Sequence, residues 1–210
     1  MKSALTLAAA ALISAGAHAQ DDQNYTGFTG VEAGGQFDLV ITVGGDFSVV
    51  ADGDPEDIAE IKIDRRGDDL ELEQKSGLFG RTKDLDVTYR ITMPSFDDGD
   101  FSRGLSARVS GVAGGDVDLD VSTGALVEVS GRCDRVDVDV STGGELDAEA
   151  LECRDANVDA STGGGADVFA SESVDADATL GGYVEVHGGP GRFSIDESLG
   201  GEVRVRGGEG

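Results

Sequence analysis

Asp116-Val117-Asp118-Leu119-Asp120-Val121-Ser122-Thr123-Gly124 is the stretch that decides the fold. Acidic and apolar residues alternate strictly, and the run stops at a Ser-Thr-Gly corner. Period two marks a strand with one dry face and one wet face. The same phrase returns downstream. Val136, Val138 and Val140 alternate with Asp137 and Asp139 before Ser141-Thr142-Gly143. Ala156, Val158 and Ala160 alternate with Asp155, Asn157 and Asp159 before Ser161-Thr162-Gly163. Looser copies end at Thr179-Leu180-Gly181 and Ser198-Leu199-Gly200. The corner glycines step by 19, 20, 18 and 19 residues. A fixed period in that range belongs to a stacked repeat.

Alternation resumes after each corner. Val127 and Val129 match Leu146 and Ala148, then Ala166 and Val168, Val184 and Val186, Val203 and Val205. Each repeat therefore holds two strands joined by a glycine corner, plus a return segment. So short a unit cannot bury its own apolar face, but stacked copies can. Equal phase from copy to copy calls for parallel, in-register pairing. The expected fold is all-β: a right-handed parallel β-helix with about 19 residues per coil over residues 103–210, its coils about 4.8 Å apart. A β-sandwich of regular hairpins would explain short even strands, but not ladders of one residue type at one phase.

Stacking has consequences for chemistry. Asp120, Asp139, Asp159, Asp177 and Asp196 fall on one line, with Asp118, Asp137 and Asp175 beside it. At a coil spacing, adjacent like charges cost under about 1 kcal/mol in water and about 3–4 kcal/mol at an effective dielectric of 20. Bound Ca²⁺ or Mg²⁺ would relieve that repulsion, so Asp120, Asp139, Asp159 and Asp177 are weak cation candidates. Calcium ligands normally converge from a loop, whereas these acids project from flat strands. The ladder is therefore read as a solvated face, with no metal site assigned. Paired carboxylates serve as acid and base only where their environments differ, and a periodic ladder offers no such difference. His187 is the only histidine after residue 18, so no Ser/His/Asp set is expected. No catalytic residue and no cofactor are assigned. The corner Ser and Thr side chains are expected to hydrogen-bond along the stack and fix its register. Arg66-Gly67-Asp68 matches an adhesion tripeptide, but it also makes a glycine turn between strands, and the turn is the default reading.

Cys133 and Cys153 each lie eight residues before the Ser of their own repeat. They share a phase on adjacent coils, within disulfide reach. A bridge between them is expected, because the chain reads as exported. Lys2 precedes an apolar stretch from Ala4 to Ala15, and Ala17-His18-Ala19 fits a small-x-small cleavage rule. Residues 1–19 are thus read as a signal peptide, cut between Ala19 and Gln20. No Cys follows the cut, so no lipid anchor is expected there, and no later apolar run is long enough for a membrane helix. The expected location is the periplasm or the cell surface, an oxidising setting.

The formal charge is −26; removing Lys2 from the 16 basic residues leaves 15 against 42 acidic ones, or −27. Such a field repels nucleic acid and anionic lipid and favours cations and basic partners. Its plainest effect is solubility. The 33 glycines and the absence of Trp suit a thin, repetitive β structure.

Residues 20–102 lack the repeat and read as a β-rich cap over the open end of the helix. Phe37, Leu39, Ile41 and Val43 make one alternating run, and Phe47, Val49 and Ala51 another. Leu70 and Leu72 begin a third, and Val87, Tyr89, Ile91 and Met93 a fourth that stops at Pro94. Asp54-Pro55-Glu56-Asp57 opens a short helix running through Ile61, with Asp54 as N-cap. At the far end, bulky Phe193, Ile195 and Leu199 with Arg204 and Arg206 read as an end guarded against edge-to-edge association. Arg204 is expected to lie against Glu185, one coil back.

Several segments resemble the head GIN domain family, described as putative auto-transporter adhesin heads. They are Phe28-Thr29-Gly30-Val31, the strand around Asp38-Leu39-Val40-Ile41, Ile91-Thr92-Met93-Pro94, Val109-Ser110-Gly111, Val129-Ser130-Gly131 and the Ser-Thr-Gly copies. Val184-Glu185-Val186-His187-Gly188-Gly189-Pro190 resembles the family's last coil, and the likeness spans residues 27–207. Ser-Thr-Gly stands where the family more often has Ser-Gly-Ala-Gly, and the cysteine pair is a further departure. The resemblance implies an exported β-helical fold and brings no catalytic residues. The expected function is a non-enzymatic envelope or surface binding module. Its partner would be an envelope or surface protein or a glycan. The alternative is a carbohydrate-active β-helix lyase or hydrolase using surface carboxylates. A pocket of clustered, non-periodic acids would favour the enzyme, and smooth faces the binding module.

Overall fold

The structure, a computed structural model, describes residues 18–19, 25–75 and 83–206. The apolar stretch 4–15 and Gln20 lie outside the described residues. Along the chain the strands are β1 (His18–Ala19), β2 (Gly30–Gly34), β3 (Asp38–Val43) and β4 (Ser48–Gly53). A helical turn, α1 (Pro55–Ile58), leads to β5 (Ile61–Arg66), β6 (Asp69–Gln74), β7 (Val87–Met93), β8 (Asp98–Ser102), β9 (Ser106–Ala113) and β10 (Asp116–Val121). Three long strands follow, β11 (Leu126–Val140), β12 (Glu145–Ala160) and β13 (Gly165–Ala178). The chain closes with β14 (Tyr183–His187), β15 (Arg192–Glu197) and β16 (Glu202–Val205).

These strands stack as a β-solenoid with two parallel ladders. The first runs β6, β2, β8, β10, the second halves of β11, β12 and β13, and then β15. The second runs β7, β3, β9, the first halves of β11, β12 and β13, and then β14 and β16. Each long strand therefore finishes one coil and opens the next. Like letters lie over like: Val117 pairs with Val136, Leu119 with Val138 and Val121 with Val140. Their side chains, with Ala156, Val158, Val174 and Ala176 above them, form one buried interior. Each fully buried valine stabilises the stack by roughly 1.5–3 kcal/mol relative to exposure.

The corners explain the triplet and add a residue to it. Thr123, Thr142 and Thr162 have φ of 52°, 52° and 51°, and the glycines after them 74°, 72° and 74°. Two left-handed residues in succession reverse the chain tightly. A second glycine follows in later coils for a different reason. A Cβ on Gly144, Gly164 or Gly182 would come within 2.5, 2.6 or 2.2 Å of a carbonyl oxygen in the coil beneath. Backbone bonds carry the register here: Ser141 N–H donates to Val121 O at 3.0 Å and Ser161 N–H to Val140 O at 2.8 Å. Hydroxyl bonding along the stack occurs elsewhere than expected, with Ser110 donating to Ile41 O at 3.3 Å and Ser130 to Val109 O at 3.4 Å. Nothing in the structure explains threonine at a left-handed position.

Parallel register continues across residue 102. β2 and β3 form a coil, and β6 and β7 form another, so spatial order departs from chain order. The β2–β3 coil lies between the β6–β7 coil and the β8–β9 coil. Antiparallel strands close that end, β5 on β6 and β4 on β7. Asp54 caps α1 by accepting from Glu56 N–H at 2.8 Å. The helix stops at Ile58 instead of Ile61, because Ile61 is buried as the first residue of β5, opposite Gln74. Arg66 and Asp69 bracket the turn of the β5–β6 hairpin, so Arg66-Gly67-Asp68 is a strand connection.

Candidate functional site

Two solvent-facing surfaces carry the charge. On the first ladder, Asp139 lies directly between Asp120 and Asp159, and Asp177 between Asp159 and Asp196. The line extends beyond the expected one, through Asp100 and Glu32 to Glu71. Asp118 and Asp137 stand beside it, and Asn157 interrupts the second line before Asp175. Neutral amide at that point removes two like-charge contacts, with Asp137 and with Asp175. Partial desolvation, and then neighbouring carboxylates, push Asp118, Asp120, Asp139, Asp159 and Asp177 above the usual carboxylate range. Asp98 goes furthest, to about 6, from desolvation and then the charges of Asp69, Asp118, Asp120 and Asp97. The four cation candidates are thus in one file, one per coil, without convergence on a point.

The second ladder mixes its signs. Arg108 donates to Glu128 at 2.9 Å across adjacent coils. Beyond Glu128 come Asp147, Asp167, Glu185 and Arg204 in one column. Asp167, Glu185 and His187 bring ligand-type atoms within 4.8 Å of one another. Arg206 donates to Glu185 at 3.1 Å, and the Tyr183 hydroxyl also donates to it. Those bonds, Arg206 first, hold the Glu185 carboxyl down to about 2. Glu185, one member of that group, is therefore already engaged by a guanidinium. Arg204 lies in register against Glu185, one coil on, as expected, but its guanidinium turns elsewhere. It bonds Glu202 at 2.8 Å on its own strand and lies over the Tyr183 ring at 5.4 Å.

An open groove crosses this second face, lined among others by Arg90, Arg108, Glu128, Asp147 and Asp167. Two further depressions, one beside Arg135 and Phe193 and one beside Gly131 and Ala150, are also open to solvent.

The return edge holds the expected bridge. Cys133 and Cys153 are disulfide-bonded, with Cα atoms 4.6 Å apart. Arg132 meets Glu152 at 3.2 Å and Arg154 meets Glu172 at 3.1 Å beside it. Sequence reasoning missed these pairs and Arg108–Glu128, although all are separated by about one repeat. Stepping each charged residue by one period would have found them. It also missed that His187 is half-buried, 3.6 Å from Glu149 and 3.5 Å from Glu185.

Residues 27–190 match the family model described as putative auto-transporter adhesin, head GIN domain. The chain belongs to this family. The head GIN domain fold is also seen in solved structures. A putative adhesin from Bacteroides fragilis aligns with a TM-score of 0.70 at 17% identity, covering 89% of this chain and 95% of that one. A putative adhesin from Parabacteroides distasonis aligns with a TM-score of 0.52 at 14% identity, covering 91% and 93%. At those identities the likeness establishes the fold alone. The comparison with curated proteins returns no match. Among the described residues of this head GIN domain, no helix is long and apolar enough to cross a membrane.

Proposed function

We propose that this head GIN domain protein is an exported, non-enzymatic binding module of the cell envelope or surface, adhesin-like in mode. The observation that carries the reading is the open groove running across successive coils of the mixed-charge face. A long groove with both signs of charge suits an extended partner, a surface protein or a glycan, held by contacts repeated from coil to coil. The acidic face keeps the module soluble and draws weak divalent cations. Residues 1–19 direct export, and the disulfide fits an oxidising destination.

The enzyme alternative requires carboxylates in contrasting environments; the nearest to such a pair is Asp167, raised, beside Glu185, lowered, and there Glu185 is already engaged by Arg206 and Tyr183. One experiment separates the two. Immobilised chain is offered envelope extract with and without Ca²⁺, alongside the double variant Arg90→Glu, Arg108→Glu. Retention by the native chain and loss in the variant supports the reading. Polysaccharide offered in parallel should gain neither reducing ends nor unsaturated uronate; accumulation of either would replace it with the lyase or hydrolase.

A further inference from the structure

The last coil carries its core residues in the open. Phe193 stands in register over Val174 and Ile195 over Ala176, and both lower partners are buried. Phe193 is nevertheless 64% exposed and Ile195 37%, and Leu199 at the corner is 76% exposed. Every residue of β15 is exposed. The cause is topological. Among the described residues nothing lies beyond β15 in its ladder, so its outer N–H and C=O groups form an open strand edge. The opposite end differs, because β4 and β5 cover it and Val49, Ala51 and Ile61 are buried there. Bulk at Phe193 and Ile195 thus does not guard the far end, contrary to the sequence reading. β15 and β16 also lie past the span matched by the family model, which ends at residue 190.

We propose that this edge is a self-association surface. β15 pairs antiparallel with β15 of a second copy, end to end, about a two-fold axis through Ser194. The strand's own charge pattern selects a second copy as the occupant. Residues opposite one another in an antiparallel pair share a face. With Ser194 on the axis, Phe193 faces Ile195 of the second copy on the inner side. On the outer side Arg192 faces Asp196, and symmetry makes that pair twice. Arg192 and Asp196 take part in none of the ion pairs formed among the described residues. Moving the axis to Phe193 or Ile195 sets Arg192 or Asp196 opposite serine, and a one-residue slip turns the apolar side chains to the wrong face. An isologous contact of this kind closes at two copies, since each copy uses the same edge and both edges are then paired.

Sedimentation velocity on the purified chain tests this over a concentration series. The native chain should move from monomer to dimer with rising concentration. Phe193→Asp, at an exposed position, should weaken the dimer at least about tenfold, with the far-ultraviolet circular dichroism unchanged. Asp196→Arg sets arginine against arginine twice and should weaken it similarly. Adding Arg192→Asp to that variant restores opposite charges and should bring the dimer back. A native chain that stays monomeric overturns the proposal, as does a dimer indifferent to Phe193→Asp. Failure of the double variant to recover overturns the register.

Discussion

On the first ladder Asp120, Asp139, Asp159 and Asp177 stand over one another, like on like. On the second, Arg108 meets Glu128 at 2.9 Å and Arg206 meets Glu185 at 3.1 Å. The same coils build both faces, so backbone stacking cannot be what separates them. The difference lies in which letters the repeat keeps constant. A constant aspartate puts every neighbour in conflict, whereas arginines near the two ends of the second column let some of its acids pair. A buried interior of Val, Leu and Ala can carry the first arrangement only because the exposed acids remain hydrated.

The comparison predicts that whatever unlocks the shared coils damages both faces at once. The disulfide sits on the return edge, where the second face of one coil leads to the first face of the next. Replacing both Cys133 and Cys153 by Ser should cost about 3 kcal/mol, the loop-closure value for a bridge spanning this length. Urea unfolding read by circular dichroism checks it. A loss below about 1 kcal/mol would mean that the stack alone sets the register.

Acid should act mainly on the first face, with Asp167, raised by desolvation and then by Glu185, the second face's share of the effect. Asp98, Asp118, Asp120, Asp139, Asp159 and Asp177 all have raised values in the folded chain. A carboxyl raised on folding contributes stability that is complete below its unfolded value and is lost as pH rises through its folded value. Here that window runs from the ordinary aspartate value of 3.8 to about 6, the value at Asp98. Thermal unfolding should therefore occur higher at pH 5 than at pH 7, by about 2–4 °C for about 1 kcal/mol once discounted for water screening of these largely exposed groups. Asp57, Asp64 and Glu185 are lowered by their basic partners, and Tyr183 also holds Glu185 down, so their opposite contribution is lost only at still lower pH. Added salt at pH 7 should reproduce part of the gain. A melting point that falls steadily from pH 7 to pH 5 would contradict the account.

How much of this was legible in the letters follows the same division. The Val, Leu and Ala columns, the aspartate file and the Cys133–Cys153 bridge all repeat at one period, and period survives translation into coils. The β2–β3 coil did not announce its place, because its neighbour is reached only after β4, α1 and β5. Chain order then misleads about stack order. Arg108–Glu128 and Arg154–Glu172 were hidden because the two partners differ in type, and reading for sameness overlooks complementarity. Phe193 and Ile195 were visible as bulky residues. Their exposure depends on what lies above them, which no local pattern states.

A single substitution sharpens the contrast within the first face. Asp98 is raised most, by desolvation first and then by Asp69, Asp118, Asp120 and Asp97. Asp98→Asn removes the charge and keeps the shape. Water screens its exposed side, so the expected gain at pH 7 is discounted to about 1 kcal/mol. The gain should vanish near pH 4, where the aspartic acid is already neutral. A gain that persists there would mean amide hydrogen bonding, rather than charge, is responsible.

The smallest expected effect belongs to the second face. Arg108 and Glu128 are both largely exposed, with side chains 64% and 49% accessible. An exposed pair gains little from Coulomb attraction and loses side-chain entropy in forming. Arg108→Ala should therefore change stability by no more than about 0.5 kcal/mol at pH 7. Losing the guanidinium still leaves Glu128 one coil from Asp147 with no opposing charge between them and the acidic column. That residue of repulsion gives the variant a signature. Its small deficit should shrink as salt rises and disappear in the double variant Arg108→Ala, Glu128→Ala. If the double variant is instead weaker than the single one by more than about 1 kcal/mol, the aliphatic stems pack on the sheet, and the face is held by contact more than by charge.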